Sequence, residues 1–354
     1  MRRTIRHAVT FALSIAVVVL VAACGGDDST STAASSGATS TGADDKPTLT
    51  LYNAQHEDLM AEMVGAFTDQ TGIEVEVRNG SDLEMANQIV QEGDGSPADV
   101  FVTENSPAMT LVANNGGFAK IGEKTIAQVP ARYRPADNDW VGFAARATVL
   151  AYNTDMLAPD ELPASIMDLA DPKWKGKFGY SPTGADFQAI ASAVVALEGE
   201  AEGRRWIEGL KANGVAYEGN STVMKAVNDG EVPLGVIYHY YWYQDQAEAG
   251  DNSNKVKLHF LRNEDPGAFT SVSGAGVLAS SKHPAEAQQL VEFLTAEGGQ
   301  RVLADSTALE YTVASDVPAN QVLEPLDSLQ APVIDPSKLN SETVLTMMQD
   351  AGIL

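Results

Sequence analysis

The chain has 354 residues, with 23 basic against 48 acidic side chains, a formal net charge of −25 and a single cysteine. This length is enough for two compact domains or one large one. The composition argues against nucleic acid as a partner, because phosphate binding needs clustered Lys and Arg, and one cysteine allows neither an intramolecular disulfide nor a thiolate metal cluster.

The first 23 residues predict an export signal. Three arginines in the first six residues precede an apolar core at residues 11–21, which is too short to be a convincing membrane span. The core ends in Val21-Ala22-Ala23-Cys24, which resembles the bacterial lipobox. This resemblance implies cleavage before Cys24 and attachment of lipid to its thiol; the alternative is an ordinary secretory signal with an incidental cysteine.

Residues 24–46 predict a flexible tether, because they are rich in Ser, Thr, Gly, Ala and Asp without an apolar period. Loss of the signal would leave 20 basic residues against the 48 acidic ones, a net charge of −28. Such acidity fits a cation-binding protein, although an excess of charge usually marks only a solvated surface.

The next segment alternates between strands and helices. Strands are predicted at residues 48–53, 73–78 and 99–103, and helices at 57–71, from Asp82 as a cap to about residue 91, and after Pro107. This order is typical of a parallel α/β layer, in which ligands gather at the carboxyl ends of the strands. His56 follows the first strand and Glu104 the third, so both could reach one crevice. Alternatively, His56 is a cap or surface residue and Glu104 only favours the positive end of the next helix.

A second α/β unit is predicted from residue 142 to about residue 269. Its predicted strands cover residues 147–152, 177–180 and 256–260, and its helical segments cover residues 166–169, 187–197, 203–213 and 221–229. Residues 270–278 then carry the chain onward to helices at 284–294 and 298–303. The sequence contains no internal repeat.

Residues 236–243 hold five Tyr and Trp residues in a protein that is otherwise poor in aromatics. An apolar strand precedes this stretch, and a helix is predicted to open at residues 244–249. At such a strand-to-helix turn the backbone can direct Tyr240 and Tyr241 toward one point, where two phenols could bind a hard cation. The alternative is that these rings cap a core or line a ligand cleft.

Together these residues resemble the ferric-iron-binding proteins of ABC importers, within the periplasmic solute-binding superfamily. The resemblance runs from about Thr48 to the C-terminus. Its motifs are Tyr52-Asn53-Ala54-Gln55-His56, Ser96-Pro97-Ala98-Asp99-Val100-Phe101, Tyr152-Asn153-Thr154, Trp174-Lys175-Gly176-Lys177, Asn228-Asp229-Gly230-Glu231, Tyr240-Tyr241-Trp242 and Asp265-Pro266-Gly267-Ala268. Several of these motifs are shared with relatives that carry other solutes. The specific signal is the joint presence of His56, Glu104, Tyr240 and Tyr241.

The resemblance implies a two-lobed α/β fold of the flytrap type, each lobe being a mixed sheet flanked by helices. Residues 47–147 and 272–322 are predicted to form lobe 1, and residues 148–271 and 323–354 to form lobe 2. The two hinge crossings are expected near residues 146–149 and 270–274. Gly274 and Gly276 suit a flexing strand pair better than a dinucleotide-binding loop.

In this family the corresponding four side chains bind Fe(III) between the lobes, so the resemblance assigns His56, Glu104, Tyr240 and Tyr241 as ligands. The chemistry is consistent, because hard oxygen donors suit a small trivalent ion and a metal can keep a phenol deprotonated far below its free pKa of about 10. Two phenolates and one carboxylate balance the three charges of the ion, which limits the penalty of burying it. Since the ligands lose protons on binding, affinity should fall as the pH drops.

Four donors leave an octahedral ion two positions short. In many family members an exogenous anion, often phosphate, fills them, held by a Ser-Gly-Ala turn and two Asn side chains. Asn220 matches one Asn, Tyr238 stands at the other, and Gly184-Ala185-Asp186 stands at the turn. Because Asp186 would repel an anion, phosphate is not expected here.

Ser181, Thr183 and the helix amides could still bind an anion, with water, carbonate or a chelating carboxylate as candidates. Arg146 could supply balancing charge, or could be a plain surface arginine.

The predicted function is that of a lipid-anchored monomer on the outer face of the bacterial cell membrane, which captures Fe(III) and delivers it to an ABC permease with a cytoplasmic ATPase. The alternative within the same class is a receptor for a small anion or organic solute, such as a phosphonate or thiamine. An enzyme is not expected, because no common catalytic motif occurs and the five histidines show no zinc spacing. A lipid-anchored sensor or structural surface protein is the third class.

Overall fold

The structure is a computed structural model that describes residues 46–354. The predicted signal peptide, Cys24 and the tether up to residue 45 lie outside the described residues. None of the helices within residues 46–354 combines the length and the apolar character that crossing a membrane requires.

The described chain contains ten strands and eleven α-helices. The strands are β1 (Leu49–Ala54), β2 (Val75–Asn79), β3 (Val100–Thr103), β4 (Val141–Asn153), β5 (Phe178–Tyr180), β6 (Val215–Ala216), β7 (Leu234–Tyr238), β8 (Val256–His259), β9 (Thr270–Val277) and β10 (Tyr311–Thr312). The helices are α1 (Glu57–Thr71), α2 (Asp82–Glu92), α3 (Ser106–Asn114), α4 (Glu123–Gln128), α5 (Ala185–Glu198), α6 (Glu200–Asn213), α7 (Asn220–Asp229), α8 (Tyr240–Glu248), α9 (Pro284–Thr295), α10 (Glu297–Asp305) and α11 (Ser341–Asp350).

Strand β4 joins the two halves of the fold. The strands follow the order β2-β1-β3-β9-β4-β7-β5-β6, and β8 and β10 also pair with β4. The first part of β4 pairs antiparallel with β9 and β10, whereas its second part pairs antiparallel with β7 and β8. We call the half that carries β1, β2, β3 and β10 lobe 1, and the half that carries β5 to β8 lobe 2. Both β4 and β9 lie at the junction of the lobes.

Each lobe has an apolar core on both faces of its part of the sheet. In lobe 1, α1 and α9 pack on one face through residues such as Phe67 and Leu290, and α3 packs on the other through Met109. In lobe 2 one face carries Trp206 of α6 and the other carries Val223 of α7. Helices on both faces are typical of α/β layers, and the predicted two-lobed α/β fold is confirmed.

The predicted starts of one strand and one helix were wrong, because at both places the sequence has no periodic pattern of apolar and polar residues. Strand β4 begins at Val141, six residues before its predicted start, and all thirteen of its residues are buried. Because both of its faces are covered, the strand has no alternation that would reveal its beginning. Helix α8 begins at Tyr240 instead of near residue 244, because its first turn consists of aromatic residues, which give no polar and apolar alternation at helical spacing.

Asp82 does not act as the predicted helix cap. It is the first residue of α2, and Ser81 occupies the cap position. Its buried carboxylate accepts hydrogen bonds from the main-chain N–H groups of Glu104 at 2.9 Å and Asn105 at 3.0 Å. Asp82 therefore holds the segment that leaves β3, on which Glu104 stands.

Gly274 and Gly276 of β9 are explained by close packing. A Cβ at Gly274 would lie 2.3 Å from Cγ of Met109, and one at Gly276 would lie 2.6 Å from Cε1 of Phe118. Glycine in a strand often marks such a close approach of another element. The two glycines thus let α3 and the segment after it pack directly on the central strand.

Replacing Gly274 with Ala should lower the free energy of unfolding by about 1–3 kcal/mol, because the added methyl group displaces Met109 from a filled core. Gly65 of α1 provides the control, since a Cβ added there would have nothing within 4 Å of it. There the same change should raise stability by about 0.5–1 kcal/mol through helix propensity. Urea unfolding of both variants measures the effect, and equal stabilisation by the two changes would contradict the packing argument.

Candidate metal centre

His56 and Glu104 of lobe 1 meet at one edge of the sheet. β1 and β3 are parallel neighbours, so the residues that follow them lie close together. His56 occupies the N-cap position of α1, but its side chain makes no capping hydrogen bond. Its Nε2 instead lies 3.4 Å from Oε1 of Glu104. The structure thus brings these two predicted residues together.

Tyr240 and Tyr241 of lobe 2 reach the same place from the other side. His239 forms the turn between β7 and α8, and the two tyrosines begin α8, with their ring centroids 4.2 Å apart. The Tyr240 hydroxyl donates a hydrogen bond to Oε1 of Glu104 at 2.9 Å. Glu104 thus contacts both His56 of its own lobe and Tyr240 of the other lobe, and Tyr241 lies next to Tyr240.

A second carboxylate, that of Asp186, contacts the same phenols. Asp186 lies in the first turn of α5, and its Oδ2 accepts hydrogen bonds from Tyr241 at 3.0 Å and Tyr240 at 3.4 Å. Asn220 donates to the same oxygen at 2.8 Å, and Asn105 donates to Oδ1 at 3.0 Å. The sequence analysis placed Asp186 near a possible anion but did not recognise it as a candidate ligand. The signal that could have revealed it was an acidic residue at the turn that corresponds to the anion-binding turn of the family.

The spacing of these donors suits a small octahedral ion. Adjacent ligands on an ion with bonds of about 2.0–2.1 Å lie about 2.9 Å apart, and the neighbouring donor atoms here are 2.9 to 3.4 Å apart. Among residues 46–354, no group of three or more His, Cys, Asp or Glu side chains is arranged to hold a metal ion. Metal binding at this point therefore depends on the phenol oxygens.

Arg146 is fully buried, which overturns the alternative of a plain surface arginine. Its Nη2 pairs with Oε2 of Glu310 at 2.7 Å, and its Nη1 donates to the main-chain carbonyl of Glu104. Its Nε lies 3.8 Å from Oε1 of Glu104. Arg146 thus supplies positive charge beside the candidate ligands, but it already has a carboxylate partner.

The structure brings some of the residues predicted to bind an anion to the site, but not all of them. Asn220 reaches the site, where it contacts Asp186 and donates to the Tyr241 hydroxyl at 3.3 Å. The Tyr238 hydroxyl is buried and donates to Oδ1 of Asn105 at 3.2 Å. Ser181 is buried without a hydrogen-bond partner, and the side chain of Thr183 is exposed. Thr183 is not brought into the site.

Burial and charge shift the two carboxylates in opposite directions. Burial alone would raise the pKa of Glu104, but Arg146, together with hydrogen bonds from His56 and Tyr240, lowers it to about 2. Burial raises the pKa of Asp186 to about 7, and the negative charge of Glu104 adds to this rise. Without a metal ion, the site thus holds one firmly ionised carboxylate and one that tends to keep its proton.

The pKa shifts of the two phenols and of the imidazole also indicate an excess of negative charge at the site. Burial raises the pKa values of Tyr240 and Tyr241 well above the usual range, and Asp186 and Glu104 raise them further. For His56, burial favours the neutral ring, but the Glu104 and Glu310 carboxylates raise its pKa overall. A bound cation would relieve these repulsions and stabilise the phenolates.

The site opens to solvent beside His56, whose side chain is 30% exposed. A surface depression of about 450 Å³ lies there, lined by the acidic Glu57 and Asp58 together with Gln244 from lobe 2. Tyr240 is buried beneath it. An ion could therefore enter along an acidic path and meet the imidazole first.

Comparison with known proteins identifies the family of the chain. The family model of the bacterial extracellular solute-binding proteins matches residues 62–329. The chain belongs to this family. It is 51% identical over 318 residues to the Fe(3+)-binding periplasmic protein of Serratia marcescens, covering 90% of this chain and 94% of that protein. It is 36% identical to the major ferric iron-binding protein of Neisseria meningitidis serogroup B (strain ATCC BAA-335 / MC58), covering 86% and 93%.

Solved structures of similar proteins have the same fold. Iron-bound HitA from Pseudomonas aeruginosa matches with a TM-score of 0.80 and 43% identity, covering 86% of this chain and 99% of that one. The Trichodesmium protein IdiA (FutA), in complex with iron and citrate, matches with a TM-score of 0.76 and 25% identity at the same coverage. The predicted resemblance to periplasmic ferric-binding proteins is thereby confirmed.

The metal-free protein should become less stable as the pH rises through 7. Asp186 has a folded pKa of about 7, above the value of about 3.9 expected in the unfolded chain. Its neutral form therefore stabilises the fold at low pH, and this contribution is lost as the carboxylate ionises. Between about pH 5.5 and about pH 8, Asp186 should account for about 2 kcal/mol of lost unfolding free energy.

Urea unfolding of the metal-free Asp186→Asn variant at the two pH values measures this contribution. The variant should lose most of that difference, whereas the same change at the exposed Asp155 should leave it unchanged. An Asp186→Asn variant with the wild-type pH dependence would contradict the assignment.

Proposed function

We propose that this protein captures Fe(III) between its two lobes, with His56, Glu104, Tyr240 and Tyr241 as ligands. The observation that carries the proposal is that side chains of both lobes meet at Glu104, whose Oε1 lies 3.4 Å from Nε2 of His56 and 2.9 Å from the Tyr240 hydroxyl. The Tyr241 ring lies beside that of Tyr240, with the centroids 4.2 Å apart. The relatives described above, whose names state that they bind ferric iron, support the same ion. Phenolate, carboxylate and imidazole donors suit a hard trivalent cation.

Asp186 takes the place of an exogenous anion in this proposal. Its Oδ2 already contacts both phenols, so it can provide a fifth donor without large movement. Two phenolates and two carboxylates carry four negative charges, one more than the ion neutralises. The nearby ion pair of Arg146 and Glu310 adds no net charge, but Arg146 is also close enough to Glu104 to lower the cost of that excess.

A small anion or organic solute has less support as the ligand. Receptors for phosphonates or other anions need basic or amide groups that are free to converge on the ligand. In the described site Arg146 is already paired with Glu310, and Asn220 and Asn105 donate to Asp186. The electrostatics of the cleft thus favour a cation.

The wider role follows from the solute-binding family. The protein would be anchored through lipid on Cys24 to the outer face of the cell membrane, close its lobes over the ion, and deliver it to an ABC permease driven by a cytoplasmic ATPase. It would act as a monomer and perform no chemistry on its cargo. A family whose members carry solutes supports this cycle, and the exposed site mouth at the lobe junction gives the ion a route in and out.

Loading with ferric citrate should give the purified protein a visible phenolate-to-iron absorption band. The double change Tyr240→Phe and Tyr241→Phe should abolish this band, because phenylalanine cannot ligate the metal but keeps the packing of the rings. Tyr243→Phe is the control, since Tyr243 lies on the same helix but packs against His239. Retention of the band by the double variant would refute the site.

Iron binding should not depend on phosphate. In the wild type, adding phosphate or carbonate should change the affinity measured against a competing chelator by less than about threefold, because Asp186 already provides the donor. Asp186→Ala should bind iron about 10- to 100-fold more weakly and should regain part of that loss when phosphate is added. Strong phosphate dependence of the wild type would contradict the role given to Asp186.

A further inference from the structure

Glu310 is a buried carboxylate that lies behind the candidate ligands and is not itself one of them. It is fully buried and immediately precedes β10, whose Tyr311 pairs with Ala145 of β4. The preceding residue, Leu309, has a φ of 54°. A left-handed conformation is unfavourable for a residue other than glycine and persists only where the surrounding structure holds it. The chain is therefore constrained to place Glu310 here.

The two oxygens of Glu310 have different surroundings. Oε2 accepts hydrogen bonds from Nη2 of Arg146 at 2.7 Å and from Nε2 of Gln55 at 3.3 Å. Oε1 is buried without a hydrogen-bond partner, and Nδ1 of His56 lies 3.3 Å from it. One oxygen is thus held firmly by donors, and the other is available to the imidazole.

The imidazole of His56 lies between two carboxylates. Its Nε2 faces Glu104 at 3.4 Å, on the side of the tyrosines, and its Nδ1 faces Glu310 at 3.3 Å on the opposite side. A neutral imidazole can bind a metal ion only through the nitrogen that carries no proton. If Nε2 is to bind the ion, the proton has to remain on Nδ1, where Glu310 can accept a hydrogen bond from the Nδ1–H group.

We propose that Glu310 is a positioning residue for metal capture: it accepts a hydrogen bond from Nδ1–H of His56 and thereby keeps Nε2 unprotonated and directed at the ion. Carboxylates commonly fix the tautomer and orientation of a metal-bound histidine in this way. Arg146 and Gln55 have the complementary task of orienting the carboxylate. This inference rests on the proposed function, because it presupposes that His56 is a ligand.

The isosteric change Glu310→Gln tests the proposal sharply. Arg146 and Gln55 both donate toward the position of Oε2, so the amide oxygen of the new side chain must turn toward them. Its NH₂ group then faces Nδ1 of His56. That arrangement favours the imidazole tautomer in which Nδ1 accepts a hydrogen bond from the amide. The proton is then on Nε2, where it prevents this nitrogen from binding the metal ion.

Iron affinity should be measured by chelator competition in a double-mutant cycle of wild type, Glu310→Gln, His56→Ala and the double variant. Glu310→Gln should weaken binding about 10- to 100-fold when His56 is present, and less than about threefold when His56 is replaced. An equal loss in both backgrounds would show that Glu310 is only structural, and no loss in the wild-type background would also overturn the proposal.

The control is Glu297→Gln, which alters an exposed carboxylate paired with Arg301 at 2.6 Å on α10 and should leave iron affinity unchanged. Urea unfolding of the metal-free variants reports whether each still folds. If Glu310→Gln does not fold, the wild type loaded with diamagnetic Ga(III) provides the test by ¹⁵N NMR of the histidines. His56 should carry a slowly exchanging proton on Nδ1 and the metal on Nε2. The reverse assignment, or a freely exchanging Nδ1 proton, would overturn the proposal.

Metal binding by the protein and the role of Glu310 can be tested separately. A wild type that binds neither Fe(III) nor Ga(III) would refute the proposed function itself. A wild type that binds both ions, with Glu310→Gln equal to it in affinity, would refute only the role of Glu310.

Discussion

The described structure depends on an imbalance of buried charge at the junction of its lobes. Arg146 is the one buried Lys or Arg among residues 46–354, and it faces the buried carboxylate of Glu310 and the partly buried carboxylate of Glu104. The buried Asp186 contacts both phenols. One guanidinium cannot neutralise three carboxylates. Burial raises the pKa values of Asp186 and the two tyrosines, and the charge imbalance raises them further. A multivalent cation would therefore stabilise the site.

Asn105 shows how this polar junction stays satisfied without a metal ion. Its Nδ2 donates to Asp82 and Asp186, and its Oδ1 accepts from Tyr238 and Ser271. These four bonds use the full capacity of the amide and join side chains of both lobes. Since the same lobe contact brings the phenols to Glu104, the completeness of the metal centre and the approach of the lobes are coupled. In a protein that binds at such a junction, ligand binding is therefore coupled to the relative position of the two lobes.

The elements that could be predicted were those with a clear local pattern. The predicted bounds of α1 agree with the structure, because its apolar residues recur at helical spacing and Gly72 ends the helix in a left-handed conformation. The start of β4 could not be predicted, since a strand covered on both faces has no alternation. Asp82 looked like an N-cap, and only the approach of the segment after β3 revealed that it binds the N–H groups of Glu104 and Asn105.

For the candidate site, the sequence by itself determined the types of donor and their positions after strands: an imidazole after β1, a carboxylate after β3 and a phenol pair after β7. For β1 and β3 the common position follows from chain order, because parallel strands end at a common edge. The phenol pair follows β7, which pairs antiparallel with β4 in the other lobe. Only the tertiary structure decided that Asp186 contacts the phenols, that Arg146 is buried, and that Glu310 lies behind His56. Gln55 and Glu310 are 255 positions apart and meet through the pairing of β10 with β4. No local pattern encodes which distant side chains such a pairing brings together.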